Sequence, residues 1–533
     1  LLNIYSMFRI INSIEPEGFM GLSSLDELDL SDNKISVLRN NSFLGLENLF
    51  VLNLKFNLIT TIYKGAFNGL NNLKILILDF NLITRIYSDC FEKLNNVIEF
   101  SLEANKLSSN SLYNGSFRGL SQLKKLALRP YKLDRIRSFT FDGLKRLNNL
   151  ELMDCKLITI ERNAFYGLDS LESLDMSSNL LIQLNRTTFE GLNVNLIYLR
   201  LRLNRLSVIE SDTFSIIPNL ILLDLGYNKL EYIKYGMFNG LKKLIYFDIR
   251  SNKIKEIERF AFLPMESVLH LDLFGHCLST LKSNTFIGMK SVDGMFMFYQ
   301  SGIEFLEPLA FNGLHNLDVL DLTGHPIQRL YSQTFIGLPK LVRILLNNLR
   351  LSFIDNDTFI GLDKVTTLMM ASNRLSSFEI HSFRGHVNLK FMDLRYNYLR
   401  SLDDFYLDST MLIVYSNSVR KHLLQIDIRD NNVTSFNRFN FNSTSLTASP
   451  TIDDLKIRLI YDKSKRIVTK RGKKDILYTS INTFFNISSL NLTEILHNRE
   501  VFHQRKINHL NIYQSLLINL DSYDCCRNND IHV

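Results

Sequence analysis

The sequence predicts a solenoid, a single coil whose turns share one hydrophobic interior and each contribute one short strand to a common sheet. Three observations predict it. A 22-residue segment recurs every 24 residues; its leucines alternate with period two, as in a half-buried strand; and a phenylalanine returns at the same place in each copy. The copies read LDELDLSDNKISVLRNNSFLGL at 25–46, LFVLNLKFNLITTIYKGAFNGL at 49–70 and LKILILDFNLITRIYSDCFEKL at 73–94. A fixed period in the range of roughly 20 to 50 residues replaces the three or four separate cores that about 150 residues per domain would suggest with one stacked array.

Written as LxxLxLxxNxIxxIxxxxFxGL, the unit can be followed by its Asn-type position from Arg9 and Asn33 to Asn397, seventeen consecutive units of which ten carry Asn. Tyr131, Cys155, His276, Gln300, His325 and Leu349 stand at that position in other units. Three steps exceed 24, from 105 to 131, 179 to 204 and 300 to 325, and the extra residues must bulge from the turn or the far side. Sixteen units place Phe in one column, from Phe19 and Phe43 to Phe359 and Phe383, so stacked rings should form a continuous spine. Each buried ring contributes roughly 2–3 kcal/mol. Leu1, Ile4, Ile11 and Ile14 are already in phase, and the expectation is an array with no N-terminal cap in view.

This pattern resembles the leucine-rich repeat family, in the 24-residue type found in Toll-like receptors, chaoptin, Slit and the small proteoglycans. The resemblance implies a right-handed solenoid of the α/β horseshoe class, with a parallel β-sheet on the concave face and irregular or 3₁₀ turns on the convex face. It also implies that the Asn side chains hydrogen-bond backbone groups of the neighbouring turn, which no strand ladder reaches.

After Asn397 the rhythm fails, and Leu423, Ile426, Ile428 and Asn431 restore one unit after a 34-residue step. The expected organisation is a repeat array over 1–436, about 18 units, then an irregular, partly basic insertion over 437–506, then a last repeat and the start of an atypical cysteine cap over 507–533. Residues 463–474, KSKRIVTKRGKK, carry seven basic side chains in twelve and read as a solvated loop, a processing site or an anionic-surface contact.

The 46% apolar and 22% charged composition is that of a folded chain, and no stretch approaches the 18 or so apolar residues that cross a bilayer. A first residue Leu1, with neither initiator Met nor leader in view, reads as a trimmed chain, and membrane attachment is expected only through sequence beyond Val533. A net charge of +7 spread over 61 basic and 54 acidic side chains is no nucleic-acid footprint.

Of five cysteines, Cys155 and Cys277 stand five turns apart, about 24 Å along the stack, too far for a disulfide. These two and Cys90 are expected to be packed thiols, with Cys155 replacing a ladder Asn. Cys525 and Cys526 follow the last strand, where the resemblance places a disulfide-bonded C-terminal cap. The spacing also resembles the hinge of repeat-bearing G-protein-coupled receptors. Sequons at Asn40, Asn114, Asn185, Asn356, Asn432, Asn442, Asn486 and Asn491 are glycosylation candidates, none of them on a concave strand.

No metal-ligand pair, nucleophile elbow, phosphate-cradling glycine run or paired carboxylate emerges, so no enzyme, metal or cofactor is expected. The recurrent acids Asp29, Asp175, Asp224, Asp248, Asp272, Asp321 and Asp393 read as a solvated column. Binding is the remaining class. Outward strand positions bring Phe296, Phe298 and Tyr299 beside Tyr246, His270 and Phe274, an aromatic patch unless this unit is distorted and its rings fold inward. A second, basic group comprises Lys125, Arg129, Arg200 and Arg202, with Tyr198 beside it; solvated charge is its plain reading. The expectation is non-enzymatic recognition of a protein or glycan by an extracellular receptor ectodomain or adhesion protein, with homo-oligomers allowed. The rivals are a secreted matrix or immune protein and a repeat-bearing G-protein-coupled receptor ectodomain.

Overall fold

A computed structural model describes residues 2–5, 10–128, 133–192, 194–273, 275–296, 302–377, 388–400 and 423–431, together with the short strands at 406–407, 435–436, 440–441, 456–460 and 468–469. Over this span the chain is a parallel-strand solenoid with one hydrophobic core running its length. The LxL of each unit forms the strand. Its leucine points inward and its flanking residues outward, as in Ser173–Asp175 and Leu222–Asp224, where the middle residue alone is buried. The main sheet consists of two ladders. Five strands run from Leu2–Tyr5 to Glu99–Ser101, and fourteen from Lys125–Ala127 to Lys456–Ile460. The seam falls at the 26-residue step from Asn105 to Tyr131. There the two extra residues are absorbed in a turn at 108–111, where the Ser111 amide bonds the Ser108 carbonyl at 2.8 Å and the Ser108 amide bonds Ser111 Oγ at 2.6 Å.

A second strand of two residues follows in each turn, as at Val37–Leu38, Thr61–Ile62 and Arg85–Ile86, pairing in parallel with its neighbours. Beyond it the convex side is a succession of turns; among the described residues no α or 3₁₀ helix occurs there. The phenylalanine column stacks in three runs, where one continuous spine was expected, and Phe383 lies outside the described residues. Rings 5.6–6.5 Å apart run through Phe19–Phe91, Phe117–Phe165 and Phe189–Phe359, with Phe67 and Phe238 buried. Two residues past the ring, the chain passes so close to the preceding turn that a Cβ on Gly119 (φ +101°) would lie 1.8 Å from the Phe91 carbonyl oxygen.

The Asn column ties turn to turn. Asn57 Nδ2 donates to the carbonyls of Leu30 and Leu54, and Asn57 Oδ1 accepts from the Ile35 amide, all within 3.1 Å. Asn81, Asn228, Asn373 and Asn397 repeat the arrangement. Asn431, beyond the long step, does so too, accepting from Leu399 and donating to Leu394. Cys155 substitutes with its thiol, which lies 3.1 Å from the Leu128 carbonyl, the same place in the preceding turn. Cys90 and Cys155 are buried thiols outside any disulfide, and burial pushes Cys90 up to about 11. Cys277 is half-buried and likewise forms no disulfide.

Three described strands, Asn440–Phe441, Lys456–Ile460 and Val468–Thr469, lie within 437–506, the stretch expected to be irregular. Lys456–Ile460 pairs in parallel with Leu423–Asp427 and extends the main sheet, and Val468–Thr469 pairs with Ser435–Phe436. Counting from that register, Tyr461 and Ser464 fall where the unit has a second leucine and its Asn, which hides the repeat from a pattern search. The sequons Asn432, Asn442, Asn486 and Asn491 and the pair Cys525 and Cys526 lie outside the described residues.

Candidate functional site

The strand register unites two groups that sequence separates. Tyr198, Leu222, Tyr246 and His270 are successive partners across four adjacent strands, and Arg200, Asp224, Asp248 and Asp272 are the parallel row two residues on. Tyr198 and Arg200 therefore share one concave surface with Tyr246 and His270. Lys125 stands apart, three strands from Tyr198 or about 14 Å, and its ammonium pairs with Glu151 at 2.7 Å. Phe296 lies on the next strand after His270, its backbone opposite Asp272 and Asp321. Arg129, Phe274, Phe298 and Tyr299 lie outside the described residues.

The edge where the chain enters these strands is apolar. Ile197, Ile221 and Ile245 immediately precede the strand residues and, with the half-exposed Val194, line an open depression of about 540 Å³. Its polar border is held in place. Asn219 Nδ2 bonds the Val194 carbonyl at 2.7 Å, Lys243 Nζ bonds Asn219 Oδ1 at 2.7 Å, and Ser267 Oγ bonds the Lys242 carbonyl at 2.9 Å.

The opposite edge is charged. Arg250 grips Asp248 with Nη2 at 2.6 Å and Nε at 3.0 Å, while Arg202 approaches Asp248 at 3.7 Å and lays its guanidinium 4.2 Å above the Tyr227 ring. Gly226 lets these groups close in on the backbone. A Cβ there would meet Asp224 Oδ1, Asp248 Oδ1 and Arg202 Nη1 at 3.2–3.4 Å. Burial, then the neighbouring Asp248, pushes the Asp224 carboxyl up to about 6. Arg202 Nη1 is buried without a hydrogen bond, so this end holds a guanidinium face beside a readily protonated acid.

The acid column is not the solvated face expected of it. Asp29, Asp175, Asp224, Asp248, Asp321 and Asp393 each accept the backbone amide two residues on, at 2.8–3.1 Å, closing the turn that leaves the strand. In Asp248-Ile-Arg250, Asp393-Leu-Arg395 and Asp427-Ile-Arg429 the arginine also folds back onto its own aspartate at 2.6–2.7 Å. That Asp-x-Arg doublet was the available signal. His270 is engaged as well, its Nδ1 3.0 Å from Asp293 Oδ1.

Among the described residues no group of three or more His, Cys, Asp or Glu side chains could hold a metal, and no helix is long and apolar enough to cross a membrane. The sequon residues Asn40, Asn114 and Asn356 are exposed, and Asn185 is half-buried with its Oδ1 accepting from Thr187 at 2.8 Å.

Repeats stacked on a shared core define a solenoid-type binding scaffold. The leucine rich repeat family matches residues 8–59, 48–107, 194–254 and 341–399, and the BspA type leucine rich repeat region matches 84–215. Together these span more than half of the chain, which belongs to the leucine-rich repeat family. No curated protein matches it in sequence. Among solved structures it is similar to TLR13 in a complex with ssRNA13, at 22% identity over 84% of this chain and 79% of that one, with a TM-score of 0.34. It is also similar to the structure of the Drosophila Toll–Spatzle complex, at 18% identity over 81% and 68%, TM-score 0.46. A leucine-rich repeat protein of Leptospira interrogans matches at 23% identity over 71% and 91%, TM-score 0.45.

Proposed function

We propose that the chain is a non-enzymatic recognition protein outside the cell, a receptor ectodomain or adhesion protein, and that it binds a protein or glycan through the concave strands from Tyr198–Arg200 to His270–Asp272. The observation that carries this reading is the two-zone surface: an apolar trough at Ile197, Ile221 and Ile245 and, one strand-length away, the Arg202–Asp248–Arg250 cluster around Gly226. A partner with an apolar side chain some 10 Å from a polar or charged group would engage both, about three residues of strand apart. Phe296, Phe298 and Tyr299 of the following turn are proposed as its continuation. The exposed Asn40, Asn114 and Asn356 are proposed glycan acceptors.

The test places a photoreactive benzoylphenylalanine at Tyr246, or at the exposed Tyr63 beyond the second strand of its turn, and irradiates the protein with surface extract and extracellular fluid of its source. A defined adduct from position 246 and none from 63, lost when Tyr198→Ala is added, is expected. Equal labelling from both positions, or none from 246, overturns the assignment.

A further inference from the structure

The five-strand ladder carries a second surface of different character. In register across four strands stand Glu27, Val51, Ile75 and Glu99, and in the next outward row Asp29, Asn53, Ile77 and Ser101. Of the four central residues Val51, Ile75 and Ile77 are apolar and Asn53 is bonded to Asp29 at 3.1 Å, while Glu27 and Asp29 stand on one side and Glu99 on the other. The band continues past both strand ends. Phe50 is 50% exposed at one, and Phe56 and Phe80 are 45% and 48% exposed at the other. These two rings stack 4.6 Å apart with the Lys55 ammonium 5.0 and 5.3 Å from their centroids.

Phe56 and Phe80 hold φ of 55° and 54°, the left-handed region. The same place before the ladder residue is left-handed in other turns too, at Asp32 and Asn348 and at the bulky Leu203, Tyr227 and Tyr396, so the backbone there belongs to the repeat. What sets this pair apart is two half-exposed rings standing side by side on adjacent turns.

The dimensions select an occupant. The band is two strands wide, about 10 Å, and extends roughly 20 Å from Phe50 to Phe56 at about 3.3 Å per residue. One α-helix is about 10 Å across. The acidic rows lie about one and a half strand spacings, or 7 Å, from its centre line on both sides. Asp26 and Asp32 reinforce one row and Glu103 the other, a local sign opposite to the +7 of the chain.

We propose that this band docks an amphipathic helix of a partner polypeptide, its apolar stripe laid along Phe50, Ile75, Ile77, Phe56 and Phe80 with Lys or Arg on both flanks facing the acidic rows. The proposal is independent of the surface around Tyr246. The experiment titrates the full chain with a fluorescein-labelled 18-residue helical peptide that has one leucine stripe flanked by lysines, and with its glutamate-flanked counterpart. The lysine peptide is expected to bind, several-fold more weakly in high salt, and the glutamate peptide not to bind. Phe56→Asn with Phe80→Asn removes the rings while suiting the left-handed backbone, so the thermal midpoint should hold or rise as affinity falls at least roughly tenfold. A lowered midpoint with unchanged affinity would assign the rings to the fold and overturn the proposal. So would equal binding of both peptides, failure of the lysine peptide to bind, or preference for a neutral oligosaccharide over the peptide.

Discussion

His276 occupies an Asn-ladder position deep in the coil, and replacing it with Asn tests what that column does. The imidazole is fully buried, and neither ring nitrogen has hydrogen-bonding geometry to a partner. Burial lowers its protonation to about pH 4 from the ordinary 6.5, with the nearby Asn252 backbone and Asp248 offsetting part of the effect. The unfolded chain therefore takes up a proton near pH 6.5 that the folded chain refuses until near 4. Stability held above pH 6.5 is lost as pH falls through that window, by about 3 kcal/mol at about 1.4 kcal/mol per pH unit. His276→Asn abolishes the titration. By analogy with Asn57, it also offers an acceptor to the Ile254 amide and donors toward the carbonyls of Ile249 and Leu273, each worth about 1 kcal/mol net, less a loss for the smaller side chain. Denaturant unfolding of both proteins between pH 7 and 4 measures the effect. Hydrogen exchange at His270–Asp272 localises it, since a repeat array can open turn by turn. The variant should gain on the parent steadily as pH falls. Midpoints that decline in parallel would refute the reasoning, because every other titrating group is common to both.

Three further outcomes follow from the core and the site. Phe67→Ala should cost about 3–5 kcal/mol, seen as a large fall in unfolding midpoint, because its ring is stacked between Phe43 and Phe91 and the void cannot collapse. Asn228→Ala leaves the Leu206 amide and the Leu201 and Leu225 carbonyls without their partner, and should cost about 2–3 kcal/mol and speed hydrogen exchange in the two adjoining turns. Asp224→Asn should raise the midpoint above pH 6 and leave it nearly unchanged near pH 4. The carboxyl's folded protonation is shifted from the ordinary 3.8 up to about 6, so the penalty of its charge grows as pH rises from about 3.8 and is complete above about 6.

The 24-residue period made the architecture legible because a strand and a stacked ring leave fixed spacings. Leu52, Phe67 and Phe238 are buried where their columns place them, and Cys155 does the work of the Asn it replaces. Less visible were features that depend on backbone conformation. Asp224 and Asp248 read as solvent-facing because nothing in the spelling LDL or FDI says that the carboxylate turns back onto an amide. Phe56 and Phe80 fall at a variable position before the Asn, where the spelling does not say that the two rings stack in the open on adjacent turns. The joining of Tyr198 and Arg200 with Tyr246 and His270 was available from arithmetic alone, since 198, 222, 246 and 270 differ by whole repeats. The strand at Lys456–Ile460 was not, because its turn lacks both the second leucine and the Asn.

The seam between the two ladders gives this coil a mechanical character. Pulled from its ends, a stack of turns behaves as springs in series, and extension concentrates in the weakest link. Between Ser101 and Lys125 the surplus residues interrupt the succession of paired strands, so a tensioned molecule should part there first, with the fourteen-strand segment still wound. A protein strung between two attachments would then carry a built-in fuse about one hundred residues from its first turn.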